Sequence, residues 1–257
     1  MTIAQEAFLF VAGGFAAMLA MMELGRRLSL RRRAIAGAAS ESGLGAVDAA
    51  VFGLLGLMVA FAFSGAHARF EWRRGLIVEE ANDIGTAYLR LDLLPAAAQP
   101  ALREKFRVYV DSRLTTYAAP DLASLERHLA RTDTLQQELW ADAVAASRQS
   151  GPMPAPMLLL PALNAMFDVA NTRTRAIMMH TPKVIYWLLG ALALTTALLA
   201  GYDMAGNGAR NWVHILCLTT VLTITVYVIV DLEYPRSGLI DLRPYDQAII
   251  DARAAMK

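Results

Sequence analysis

The sequence predicts an all-α integral membrane protein with four transmembrane helices in two hairpins and a helical extramembrane insert between the second and third. Three observations predict it. Four long apolar runs occupy residues 7–24, 46–66, 184–203 and 211–230, close to the about 20 residues a helix needs to cross a bilayer. The runs come in two pairs around a charged stretch of 116 residues, 67–182. Hydrophobic residues make up 56% of the chain and charged ones only 18%, below the about 25% of soluble domains. The resulting order is a first hairpin over 1–66, the insert over 67–182, a second hairpin over 183–231 and an extramembrane tail over 232–257.

The first run has no positively charged segment before it and no small-x-small cleavage site after it. It ends in Glu23-Leu24-Gly25-Arg26-Arg27, as a retained signal-anchor helix does. The second run has Ala49, Gly53, Gly56 and Ala60 at heptad spacing. Small residues let membrane helices approach closely, so one reading is a packing seam. The other is a pore-lining helix, with Leu54, Leu57 and Phe61 as an apolar constriction and Ser64 following it. Thr195, Thr196, Thr219, Thr220, Thr223 and Thr225 fall in the last two runs, where hydroxyls ordinarily bond back to their own helix. Gly206-Asn207-Gly208 marks a tight turn between those runs. Cys217, the lone cysteine, excludes an internal disulfide and reads as a small buried packing residue.

The insert is helical in pattern. Ile77, Ala81, Ile84, Tyr88 and Leu91 form an amphipathic stripe over 69–94, continuing the second span out of the membrane. Pro95 and Pro100 end it. Further helices are expected over 100–117, over 121–149 with Asp121 as N-cap, and over 157–180, with Gly151–Pro156 as a rigid connector. After the last span the tail is expected to be extended through Arg243, with a short helix from Tyr245.

Two polar faces in the insert are the candidate sites. Glu79, Asp83, Thr86 and Arg90 share one helix face, and Asn164, Asp168, Asn171 and Arg175 repeat the same 4-3-4 spacing. If those helices are antiparallel neighbours, Asp83 can meet Arg175 and Asp168 can meet Arg90, a network in which partly buried charges find partners. The same faces could instead line an ion or ligand path. Adjacent Glu79 and Glu80 are weak support for a metal, because consecutive helix residues point about 100° apart.

Several function classes are disfavoured. Net charge is +1, and the insert balances thirteen Lys/Arg against thirteen Asp/Glu, so there is no basic surface for nucleic acid. Glu23, Asp48, Asp203 and Asp231 lie at span ends, which leaves no ionisable group at mid-membrane for proton-coupled transport. No nucleophile elbow, P-loop or His-Glu-x-x-His motif is present, and no cofactor or metal is expected. His180, beside Thr181 and Pro182, reads as a cap or interface residue.

The exit from the last span has its own logic. Asp231, Glu233 and Arg236 sit where the chain leaves lipid, a natural place for a charge network holding the tail to the insert. Pro235 stops the helix, and Gly238 allows a turn or a close approach.

Two stretches, Glu79–Pro95 following Phe63-Ser64-Gly65-Ala66, and Asp231–Ile240, resemble bacterial bestrophin-like membrane proteins. The resemblance runs from about 45 to 250. It implies a homo-oligomer, by family analogy a pentamer, that conducts small anions such as chloride across the bacterial inner membrane. The second span would line a narrow apolar neck. It also implies a cytoplasmic insert and termini. The positive-inside rule gives the opposite orientation, since Arg26, Arg27, Arg31, Arg32 and Arg33 crowd the loop after the first span. No acidic cluster like the bestrophin calcium clasp is evident. The alternative function is a membrane-anchored interaction or sensor module without a conducting pore.

Overall fold

A computed structural model of the chain describes residues 3–36, 44–119, 121–149, 155–205, 211–234 and 238–256. The expected turn at Gly206–Gly208, most of the Gly151–Pro156 connector, and Pro235 and Arg236 lie outside the described residues. Eight α-helices follow one another among the described residues: α1 (Ile3–Ala36), α2 (Leu44–Leu89), α3 (Gln99–Tyr117), α4 (Leu122–Gln149), α5 (Ala155–Met178), α6 (Lys183–Met204), α7 (Trp212–Glu233) and α8 (Gln247–Ala254). Short 3₁₀ turns at Arg90–Leu93 and Arg243–Asp246 precede Pro95 and α8. The second turn begins at Arg243, where the expected extended stretch ends, and Pro244 near its start favours a tight helical φ. The stretches Gly45–Leu93, Pro156–Met204 and Trp212–Glu233 each contain a segment long and apolar enough to cross a membrane.

The chain divides into two compact units, residues 1–70 with 180–241 and residues 71–179 with 242–257. The tail is therefore shared. Its part up to Asp241 belongs with the apolar helices, and the rest belongs with the insert.

In the first unit α1 packs on α6 and α7. One crevice joins Gly14 and Met18 to Gly190 and Leu194, and another joins Met22 and Leu30 to Gly201 and Ala205, so α1 and α6 run in the same sense. The same crevices pair Met18 with Val226 and Met22 with Ile215, so α7 runs in the opposite sense. Contact between α1 and α6 is tightest at two glycines. A Cβ on Gly25 would overlap the Leu198 carbonyl oxygen, and one on Gly201 would overlap that of Met22. Small residues here let the backbones touch. The threonines behave in part as back-bonding residues. Thr219 donates to Ile215 O at 2.7 Å and Thr225 to Val221 O at 2.8 Å. Cys217, expected to be buried, is exposed on α7, since the apolar run alone does not say which way each side points.

In the second unit the periodic stripe is the core of α2: Ile77, Ala81, Ile84 and Tyr88, with Leu91 just after, are all buried. Phe106 and Tyr109 from α3, Leu139 from α4, and Leu163 and Met166 from α5 are fully buried in the same unit. Tyr88 and Phe106 make an edge-to-face pair with ring centres 5.5 Å apart, a favoured aromatic geometry. Asp121 starts α4, accepting the Ser124 amide at 2.8 Å and its hydroxyl at 3.0 Å.

Candidate functional site

Within the first unit, the face of α2 bearing Leu54, Leu57, Phe61 and Ser64 is open. Leu54 is 46%, Leu57 49% and Phe61 63% exposed, and Ser64 is exposed beside them. Leu55, one residue off this face, is buried. The 3-4-3 spacing of the four residues keeps them on one side of an uninterrupted 46-residue helix. The result is an apolar strip with a hydroxyl at its end.

The exit motif is a second construction in the same unit. Asp231 is buried at the end of α7 and accepts the backbone amides of Leu239 at 3.0 Å and Ile240 at 2.8 Å. It thereby fixes the backbone of the segment that begins at Gly238. A Cβ on Gly238 would overlap the Asp231 carboxylate, which is why this position takes a glycine. Glu233, two residues on, is fully buried and faces other partners. It accepts Arg69 Nη2 at 2.7 Å and Nε at 3.0 Å, and the Thr181 amide at 2.8 Å. Arg69 Nη2 also donates to the Thr181 hydroxyl. His180 places Nδ1 3.6 Å from Glu233 and stacks on Tyr234 with ring centres 4.6 Å apart. A carboxylate satisfied by a forked guanidinium and a backbone amide holds its geometry tightly.

The second unit has a buried ionic cluster that helix-face reasoning missed. Glu80 accepts Arg113 Nε at 2.6 Å and Arg173 Nη1 at 2.8 Å, and all three are buried. Arg173 also pairs with Asp246. Arg113 donates to Tyr117 Oη and to Ala170 O, and the Arg173 guanidinium lies 3.5 Å from the Tyr117 ring centre. Burial alone pushes the Glu80 carboxyl up, but the two guanidiniums outweigh it and hold it below its ordinary value. Burial, reinforced by Glu80, pushes the Tyr117 phenol up to about 12. Two acids and two arginines leave the cluster neutral and mutually satisfied, the condition under which buried charges are tolerated. It anchors α2, α3, α5 and the residue before α8. The sequence signal available was Glu80 beside the buried stripe, one position from Glu79.

The two polar faces lie elsewhere. Glu79 and Thr86 are exposed and Asp83 is half-buried, while Asn164, Asp168, Asn171 and Arg175 are exposed. Burial and the neighbouring Glu79 push the Asp83 carboxyl up. The cross-helix pairs expected from charge order are not made. Arg90 donates to Leu158 O at 2.7 Å, and Asp168 accepts Asn164 Nδ2 at 2.9 Å. Asp83 lines a recess with Glu71, Arg74 and Asn82, whereas Arg175 lines another, of about 380 Å³, with Asn171, Asp133 and Gln137. Among the described residues no group of three or more His, Cys, Asp or Glu could hold a metal ion.

These helices and exit motifs match a known family. The model of the bestrophin-like domain matches residues 11–246. The chain belongs to the bestrophin-like family. Its fold is that of bestrophin homologues of known structure. Two single-residue variants of a bacterial bestrophin homologue from Klebsiella pneumoniae superpose with a TM-score of 0.70, at 13% and 14% identity, over 95% of this chain and 99% and 98% of theirs. A variant of a membrane protein superposes with a TM-score of 0.68 at 15% identity, over 96% of this chain and 98% of its own. No curated protein matches the sequence. For a bestrophin-like protein, the open α2 face and the anchored exit from α7 are the features to explain.

Proposed function

We propose that the protein is an oligomeric ion channel of the bacterial inner membrane that conducts small anions such as chloride, with α2 lining the pore. The observation that supports this best is the open strip of Leu54, Leu57, Phe61 and Ser64 on one side of α2. Brought together around an axis in a homo-oligomer, a pentamer by family analogy, such strips form an apolar neck that gates by dewetting. Ser64 then supplies a hydroxyl next to the neck. The polar faces of Glu79, Asp83, Thr86 and Arg90, and of Asn164, Asp168, Asn171 and Arg175, are available to line the wider path or to meet neighbouring subunits. The common sense of α1 and α6, with α7 opposed, supports four alternating spans.

The test is chloride flux from liposomes containing the purified protein. Flux is expected, and Phe61→Ala or Leu57→Ala should raise it by widening the neck. Absence of flux under every gradient would remove the channel reading. The recess between Asp133 and Arg175 favours a second reading, a membrane-anchored module that binds a partner or ligand. A ring with an axial hole in cryo-EM supports the channel, and a monomer or sealed dimer supports the module.

A further inference from the structure

We infer that the arginine-bearing end of α1, with the crevice beside it, binds an anionic phospholipid. The helix does not stop with its apolar run at residue 24 but continues to Ala36. Arg26, Arg27, Arg31, Arg32 and Arg33 lie in that continuation, flanked in sequence by the acids Glu23 and Glu41. Glu23 accepts both Arg26 Nε and Arg27 Nε at 2.9 Å, so one carboxylate serves two guanidiniums. Arg31 is exposed, with no ion pair among the described residues. Leu24, Leu28, Leu30 and Ile35 are exposed among them. A helix presenting leucines and arginines together is suited to the boundary between acyl chains and headgroups.

The crevice supplies the second half of the site. Its volume is about 180 Å³, between α1, α6 and α7. Leu19, Met204 and Ile215 give it an apolar body, while Glu23, Arg26 and Asn211 give it a polar rim. Trp212, also lining it, begins α7 and is about half exposed, as tryptophans at membrane interfaces are. Asn211 caps that helix through the His214 amide, which puts the positive end of the α7 dipole on the same rim. The glycine contact of Gly25 with Leu198 and Gly201 with Met22 fixes the walls.

One acyl chain lies in the apolar body, and the phosphate sits at Arg26, Arg27 and Arg31. A zwitterionic lipid fills the body but leaves Arg31, and the second of the two arginines sharing Glu23, uncompensated. A free phosphate does the reverse. Only an anionic lipid matches both halves. The inference rests on α1 crossing the bilayer, as the channel reading has it.

The full-length protein, reconstituted in nanodiscs of phosphatidylcholine mixed with phosphatidylglycerol, is released and weighed by native mass spectrometry. Phosphatidylglycerol should be retained several-fold over phosphatidylcholine. Arg27→Ala with Arg31→Ala should abolish that preference, and the two lysine replacements should keep it. Equal retention of both lipids by the unaltered protein overturns the headgroup site. Displacement of the lipid by soluble glycerol phosphate alone overturns it in favour of a free anion. A photoactivatable acyl chain reports separately on α1. Failure to label its apolar run removes the spanning helix itself, whereas labelling with equal retention removes only the site.

Discussion

Arg113 Nε and Glu80 Oε1 lie 2.6 Å apart, and neither side chain is more than 2% exposed. A buried ion pair of this kind is not strong evidence for net stabilisation, but breaking it from one side is damaging. Glu80→Ala would strand two guanidiniums, Arg113 and Arg173, away from water. We expect it to lower stability by about 3–5 kcal/mol, read as a lower Tm in detergent. Adding Arg113→Met to that change should recover part of the loss.

The same carboxylate gives a pH dependence. Its folded pKa is depressed below the ordinary 4.5, so its contribution is fully present above that value. The contribution is lost as pH falls through the lower folded value. Thermal unfolding should therefore show a drop in Tm confined to acid, below about pH 4.5, that Glu80→Gln flattens. An unchanged acid limb in that variant would assign the effect to other carboxylates.

At the other charged anchor, Arg69→Lys keeps the charge on Glu233 compensated but gives up the fork of Nε and Nη2 bonds. The expected outcome is a partial loss of stability and altered liposome flux, with Arg69→Ala worse in both. Equal behaviour of the two variants would show that charge, not geometry, is what Glu233 requires.

Two ties of the C-terminal tail should differ sharply. Arg253 bonds Asp111 at 2.8 Å, but the two are 30% and 52% exposed, so solvent screens them. Arg253→Ala should change stability by at most about 1 kcal/mol. Asp246 sits against the buried Arg173, and Asp246→Ala should cost distinctly more. The comparison of the two melting temperatures checks it.

The helices were legible because burial leaves a period. Ile77, Ala81, Ile84, Tyr88 and Leu91 recur at helical spacing, and the structure buries every one. Helix-face spacing also groups Glu79 with Asp83 and Asn164 with Asp168, but it cannot say which way a face points. Those faces turn outward, and the buried acid is Glu80, beside the apolar stripe. Its partners come from α3 and α5, at separations of 33 and 93 residues along the chain for the two arginines. No local pattern records such distances. Asp231 and Glu233 were legible as charges at a span end. Their division of labour was not, since it depends on backbone amides at Leu239 and Thr181.

The clamp of Glu233 on Thr181 and Arg69 bears on the order in which the chain can be made. Its acid lies at the end of α7, after both of its partners have been synthesised. Thr181 and Glu233 are 52 residues apart, so their contact closes the α6–α7 hairpin into a non-covalent ring at its base. Until α7 is in place, Arg69 lacks this carboxylate and the ring stays open. A chain that ends before α7 lacks the carboxylate that Arg69 bonds in the folded protein.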